Sequence, residues 1–305
     1  MKKAGAYSFR AAELLLAAAL GCLCSCTRAQ RDTYDPEVEL RFDPVLLVAT
    51  RSDGRFPEDR DFGVRLWDYS PGDETPSWNG FLPLTKISFD GTKWSPASST
   101  LWPASSRRIA VQAHFPYGRA DAMDLENGIC FRDVDVERDQ TDLLYSDLLR
   151  DLSKDDGGVI HIPFRHALCF VDITLRTNAQ AAEKVVVKNV SLLNVGTKGN
   201  FRSLPEPGWT LSGERHGIEL FHGNETLGPL NRTIVSGIPM IPQVLDAPLH
   251  VTIEFTGTEG FTRTISVDST PLNKRLECGR HYTLSLSYFP YEEELVPDNA
   301  YHQGL

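Results

Sequence analysis

Apolar residues in this chain alternate with polar or small ones, a period of two that suits an extended strand with one buried face. The runs Ile109/Val111/Ala113/Phe115, Val251/Ile253/Phe255 and Tyr282/Leu284/Leu286/Tyr288 are the clearest, and polar segments rich in Pro and Gly separate them. The pattern predicts many short antiparallel strands and an all-β protein. Lys184 to Val195 is apolar at both parities, which predicts a strand covered on both faces or kinked by a bulge. One segment departs from the period. Leu144, Leu148 and Leu152 fall at i, i+4 and i+8, which predicts a short helix over Asp142 to Leu152. Strands in both halves favour two antiparallel β-sandwiches joined at the loop Ser153-Lys154-Asp155-Asp156-Gly157-Gly158. The expected division is an N-terminal β-sandwich domain over 38–157, a C-terminal one over 158–289 and a polar tail over 290–305.

The first residues read as an export signal. Lys2, Lys3 and Arg10 are basic, Leu14 to Leu20 is leucine and alanine throughout, and Leu23-Cys24-Ser25-Cys26 closes the run. This is the pattern of a bacterial lipoprotein signal peptide over residues 1–25, with Cys26 as the lipidated new N-terminus and 26–37 as a linker. Cys22 is a poorer acceptor because Ala19, rather than Leu, stands three residues before it. The apolar run falls short of the about 20 residues that cross a bilayer, and Glu13 interrupts it. Acyl chains contribute about 0.8 kcal/mol per buried methylene, so two or three hold a protein to a membrane durably. The expected location is an envelope membrane.

The full chain has 31 Lys and Arg against 41 Asp and Glu, and the signal carries three of the former and one of the latter. The mature chain therefore has a net charge of −12, which argues against nucleic acid as a partner. Cys130, Cys169 and Cys278 remain after processing, and three cysteines cannot all pair internally. Cys169 shares a strand face with Val171, Ile173 and Leu175, which suits a small buried residue, while a Cys130–Cys278 disulfide stays open.

Motifs for chemistry are missing. His161 and His166 are five apart in an extended segment, unlike the helical pair of zinc proteases. Asp133, Asp135, Glu137 and Asp139 fall on one side of an extended chain, where they read either as calcium ligands or as a solvated strand edge that discourages aggregation. No phosphate loop, nucleophile elbow or paired-cysteine motif occurs, so neither catalysis, metal nor cofactor is expected. Trp67, Trp78, Trp94 and Trp102 cluster with Tyr69, Phe81 and Phe89. Two readings compete: aromatic platforms for a sugar ring, with Trp67, Trp78 and Trp94 as contacts, or core packing.

The motifs resemble a family. Trp94, Leu101-Trp102-Pro103 and Ile109-Ala110-Val111-Gln112-Ala113-His114-Phe115-Pro116 are similar to the fimbrillin pattern of a Trp-Pro turn leading into a strand that ends aromatic-Pro. Asp142-Leu143-Leu144-Tyr145-Ser146 resembles the segment closing the first fimbrillin domain, and Ile162-Pro163-Phe164-Arg165-His166-Ala167-Leu168 resembles the entry to the second. Gly279-Arg280-His281-Tyr282-Thr283-Leu284 resembles the family's final strand, so the likeness covers most of 38–289. It implies two tandem transthyretin-like β-sandwich domains, export as an outer-membrane lipoprotein, and assembly with other subunits into type V fimbriae. In that family an arginine-specific protease removes the first strand, and a strand from another subunit fills the groove.

Carried onto this sequence, Val38/Leu40/Phe42, Pro44 and Val45 to Ala49 form the first strand, Arg51 is the preferred cleavage position and Arg55 the second. The competing reading keeps 38–49 as a permanent strand. The tail over 290–305 has two prolines, three adjacent glutamates and no clean alternation, which makes a poor donor strand and favours a tip, accessory or anchor subunit over a stalk subunit. Asp268-Ser269-Thr270 resembles an O-glycosylation acceptor, with Ser269 as the modified residue. The favoured expectation is a non-enzymatic fimbrial subunit working by strand exchange and adhesion. The alternative is a monomeric, lipid-anchored glycan-binding β-sandwich protein on the bacterial surface.

Overall fold

The structure, a computed structural model, describes residues 37–47, 56–72, 79–246, 248–256, 260–267, 275–290 and 294–304. Strands dominate, with one 3-10 turn at Lys154–Asp156 among the described residues. The alternating runs are strands as the period required: β5 is Arg108–Phe115, β17 is Leu249–Phe255 and β19 is Arg280–Phe289. Residues 38–305 pack as one compact unit.

Its first sheet is a ring. β2 (Phe62–Tyr69), β3 (Asn79–Phe89), β4 (Trp94–Pro96), β1 (Arg41–Leu46), β10 (Val159–His166), β8 (Leu144–Ser146) and β5 come one after another around it, and β2 pairs again with β5. β9 (Leu149–Leu152) hangs on β5 outside the ring. The apolar faces enclose Leu40, Phe42, Phe62, Val64, Leu66, Ile87, Ile109, Val111, Ile160, Ile162 and Phe164. Residues beyond the loop at 153–158 thus complete the first core, because β10 supplies Ile160, Ile162 and Phe164.

The C-terminal core lies between two four-stranded sheets. One has the order β16 (Arg232–Met240), β11 (Cys169–Thr177), β19 and β20 (Glu294–Gly304), and the other β15 (His216–Thr226), β12 (Val185–Val195), β17 and β18 (Phe261–Val267). β12, apolar at both parities, has register breaks at Val187/Asn189, Val190/Ser191 and Leu192/Val195 against β15, so bulges account for its pattern. A further sheet, β14 (Gly208–Ser212), β13 (Lys198–Arg202), β7 (Gly128–Asp135) and β6 (Ala122–Asp124), draws from both halves and packs Phe131 on Phe201.

Two sequence expectations need correction, and one open question closes. The helix over 142–152 is instead β8 and β9, because Leu143, Leu144 and Tyr145 are consecutive buried residues that a single helical stripe cannot serve. The tail is a regular strand: β20 pairs antiparallel with β19 at ten positions. Its Pro297 sits beside a register break at Ser285/Leu286, on an edge strand, the position where a sheet tolerates proline. Asp298, at that break, accepts from Ser287 Oγ at 2.7 Å and pairs with Arg176 at 3.1 Å. Cys130 and Cys278 are both free thiols, so the disulfide is not formed. Cys169 is fully buried, donates to the Met240 carbonyl at 3.2 Å, and has its thiol pKa raised by burial.

One polar group in the interior was not foreseen. His114 on β5 is fully buried opposite Gly63 of β2. A Cβ at Gly63 would lie 2.2 Å from His114 Cε1, so glycine is what admits the ring. Its Nδ1 lies 3.1 Å from Met123 Sδ, and Phe131 meets it edge-on. Burial lowers the His114 pKa to about 4.

The buried imidazole makes stability depend on pH. The unfolded chain protonates His114 below about pH 6.5 while the fold resists to about 4, so stability is complete above 6.5 and falls between those values. The loss is about 3 kcal/mol on the linkage scale of roughly 1.4 kcal/mol per pKa unit. Urea unfolding at pH 7 and pH 5 should read about 2 kcal/mol of it, because pH 5 lies part-way through that window, and His114→Gln should flatten that difference. His216, whose pKa is raised by its hydrogen bond to Glu137, acts in the opposite sense and is the same in both proteins. Separately, Gly63→Ala should destabilise by about 1–3 kcal/mol through overpacking, read as a lower thermal midpoint.

Candidate functional site

The site is the seat of β1. Residues 38–40 run against 100–102, with Leu40 N–H donating to Thr100 O at 2.8 Å and Trp102 N–H to Val38 O at 2.8 Å. From Arg41 onward the strand turns to β10 and pairs parallel with it at six positions, Arg41↔Val159 through Leu46↔Phe164. Its link to β4 is one pair, Phe42↔Trp94. β1 therefore closes the ring with one well-hydrogen-bonded flank and one sparse flank.

Side chains obey the same alternation. Leu40, Phe42 and Pro44 are buried, whereas Val45 and Leu47 are exposed. Phe42 meets Phe62 edge-on at 6.4 Å, and Phe62 lies 5.1 Å from Trp94. Phe56 enters from the preceding loop and touches Phe62, Trp94, Phe115 and Phe164 at ring separations of 4.9 to 5.6 Å. Sequence reasoning passed over Phe56 as loop. The available signal was a lone aromatic in an otherwise polar run.

The two prolines of this ladder sit where they do least harm. Leu47 N–H donates to Phe164 O at 3.1 Å, so odd residues of β1 and even residues of β10 turn their backbone groups to each other. Pro44 then lacks its N–H on the β4 side, and Pro163 lacks its own on the β8 side. The β1–β10 ladder is left intact.

Polar groups fasten the rim. Asp90 Oδ1 accepts from Thr92 N–H and Oγ1–H and from Lys93 N–H at 2.7 to 2.9 Å, fixing the hairpin that presents Trp94. These bonds, the Thr92 hydroxyl first, lower the Asp90 pKa to about 2. Glu39 takes Lys93 Nζ at 3.1 Å and Ser99 Oγ at 3.1 Å, and its pKa is lowered by the Lys93 bond first. Asp43 pairs with His161 directly across the ladder at 2.7 Å, an exposed contact. Beside β1 a cleft of about 460 Å³ runs along residues 41–46, walled by Phe89, Thr92, Lys93 and Trp94.

The other sequence candidates lie apart. Trp67 and Trp94 are 4% and 7% exposed, Trp67 packed with Tyr69 and Ala110 and Trp94 within the aromatic cage, so neither offers a free face to a sugar. Trp102 is buried too and donates its indole N–H to Gly158 O at 3.1 Å. Cys26, Arg51, Arg55, Trp78 and Ser269 lie outside the described residues. The acidic run takes separate partners: Asp135 with Lys198, Glu137 with His216, and Asp139 with the Thr141 N–H. His166 is buried against Asp142, so it does not meet His161.

The fimbrillin-like family profile matches residues 50–298. A fimbrial protein from Bacteroides vulgatus superposes with a TM-score of 0.63 at 14% identity, over 88% of this chain and 99% of that one. A candidate cell-adhesion protein from Bacteroides uniformis gives 0.61 at 16%, over 88% and 98%. A second such protein, from Bacteroides ovatus, gives 0.56 at 13%, over 88% and 98%. No curated protein matches at the sequence level. With the profile spanning most of its length, the chain belongs to the fimbrillin-like family.

Proposed function

We propose that this protein is a non-enzymatic fimbrial subunit acting in adhesion at the cell surface, that it is exported as a lipoprotein through Cys26, and that it assembles by strand exchange at the seat of β1. The observation that carries the reading is the position of β1 inside the ring, held by β10 through a full ladder and by β4 through one pair. Removing it would leave the inward-facing backbone of β10 unpaired and the pockets of Leu40, Phe42 and Pro44 wet, the conditions an incoming strand relieves. Cleavage after Arg51, or after Arg55, would sever residues 38–47 from the remainder of the chain. The family match begins at residue 50, beyond β1.

The tail bears on subunit position. β20 is engaged on β19 of its own chain, which supports a subunit that accepts a strand without giving one, as at a tip or anchor. Ser269 is proposed as an O-glycosylation acceptor on its Asp-Ser-Thr context alone.

Treating the exported chain with an arginine-specific protease should create a new N-terminus at Ser52, and Arg51→Ala should move the cut to Arg55 or abolish it. N-terminal sequencing decides, and fibres whose subunits all still begin at Cys26 would sink the cleavage step. A synthetic peptide of residues 38–47 should restore the thermal midpoint of the cleaved protein. The peptide carrying Phe42→Ala should fail, since emptying an aromatic pocket costs about 3–5 kcal/mol. Equal rescue by both peptides would show that the cage does not select the strand.

A further inference from the structure

A second cleft, of about 510 Å³, lies over the sheet that joins the two halves, away from β1, and is lined by Cys130, Arg132, Asp133, Asn200, Arg202 and Thr210. Its floor comes from β7 and β13, where Arg202 pairs opposite Cys130 and Asn200 opposite Thr210 of β14. A register break between Gly199 and Phe201 bulges the strand there, and Asp133 adopts a positive φ of 48°. Asn200 Oδ1 holds that turn by accepting the Asp133 N–H at 2.9 Å, leaving its Nδ2 group as a donor.

Arg132 and Arg202 are exposed and have no ion-pair partner among the described residues. Two nearby carboxylates accept backbone N–H groups. Asp121 accepts the Arg132 N–H at 2.6 Å, and Asp124 accepts those of Glu126 and Asn127 at 2.9 and 2.6 Å. The Cys130 thiol pKa is raised, by burial first and then by Asp124 and Asp121, and both guanidiniums are close enough to act against that rise. Two guanidiniums without ion-pair partners thus flank one cleft, with Asp133 in its lining and Asp121 and Asp124 close by.

We propose that this cleft binds a carboxylate- or sulfate-bearing polysaccharide through Arg132 and Arg202. Guanidinium forks match oxyanions with paired hydrogen bonds. Thr210 and the Asn200 amide supply further hydrogen-bonding groups suited to sugar hydroxyls, and the volume falls within the roughly 300–1,000 Å³ of small-ligand sites. β13 is paired on both sides, by β14 and by β7, so it offers a peptide no strand edge to join. Asp133 is the opposing charge in the cleft, and it weakens anion binding.

The test is calorimetric titration of the purified full chain with heparin, polygalacturonate, neutral dextran and sodium sulfate. Heparin or polygalacturonate should bind, with affinity falling as salt rises. Arg132→Ala with Arg202→Ala should weaken it at least tenfold, Asp133→Asn should tighten it, and Arg138→Ala, an exposed cation elsewhere, should leave it unchanged. The single variants Arg132→Gln and Arg202→Gln, each checked for an unaltered thermal midpoint, give the same reading if the double variant does not fold. The proposal is overturned if neither acidic polymer binds, if the arginine variants bind as the wild type does, if dextran binds as well, or if free sulfate binds as tightly as the polymers.

Discussion

The parallel ladder between β1 and β10 is the contact on which the N-terminal half depends. Each remaining neighbour in the ring is joined antiparallel to its partners, and β1 alone bridges β4 and β10. Without it the sheet has two facing edges and a core open along one side. The ladder survives two prolines because both lose their N–H groups on flanks that do not face it. The aromatic cage then supplies the burial that the backbone pairing positions. Phe42 contributes to that cage from β1, while Phe56, Phe62, Trp94 and Phe164 belong to the body that would remain.

The proposed exchange would place opposing demands on this strand. It would have to be bound well enough for folding, yet leave its place open to replacement. The asymmetry of β1 suits both. Its six-position flank on β10 provides register, and its single pair with β4 leaves the other side lightly closed. The hairpin at Asp90 holds Trp94 in position from β4, so the receiving wall does not rely on β1 for its shape.

Much of this architecture is legible in sequence because strands with one buried face write their period directly. β5, β17 and β19 fall on the alternating runs, and β12 announced its bulges by being apolar at both parities. The failures share a cause, which is that pairing partners are chosen in space. Leu144, Leu148 and Leu152 matched a helical spacing, but Ser146 and Leu144 were needed opposite β10. The tail lacked alternation, yet an edge strand needs order on one flank only, and β19 provided it. The tryptophan window suggested a sugar platform because sequence does not show that Trp67 and Trp94 face inward. Arg132 and Arg202 are 70 residues apart in number, and nothing local to either hints that a strand pairing brings them to one cleft. His114 was equally silent. Its room comes from the missing side chain of Gly63 on another strand.

The direction of the β1–β10 pairing has a further consequence. Leu40, Phe42 and Pro44 fill their places in order, and β10 carries a fixed sequence of inward-facing amides and carbonyls beside them. A strand laid there the other way round would present its large ring to the wrong pocket and its donors out of step. Under the proposed exchange, every junction built on this seat would share one orientation. The resulting filament would have distinguishable ends, with growth and attachment assigned to opposite poles by the direction of one short ladder.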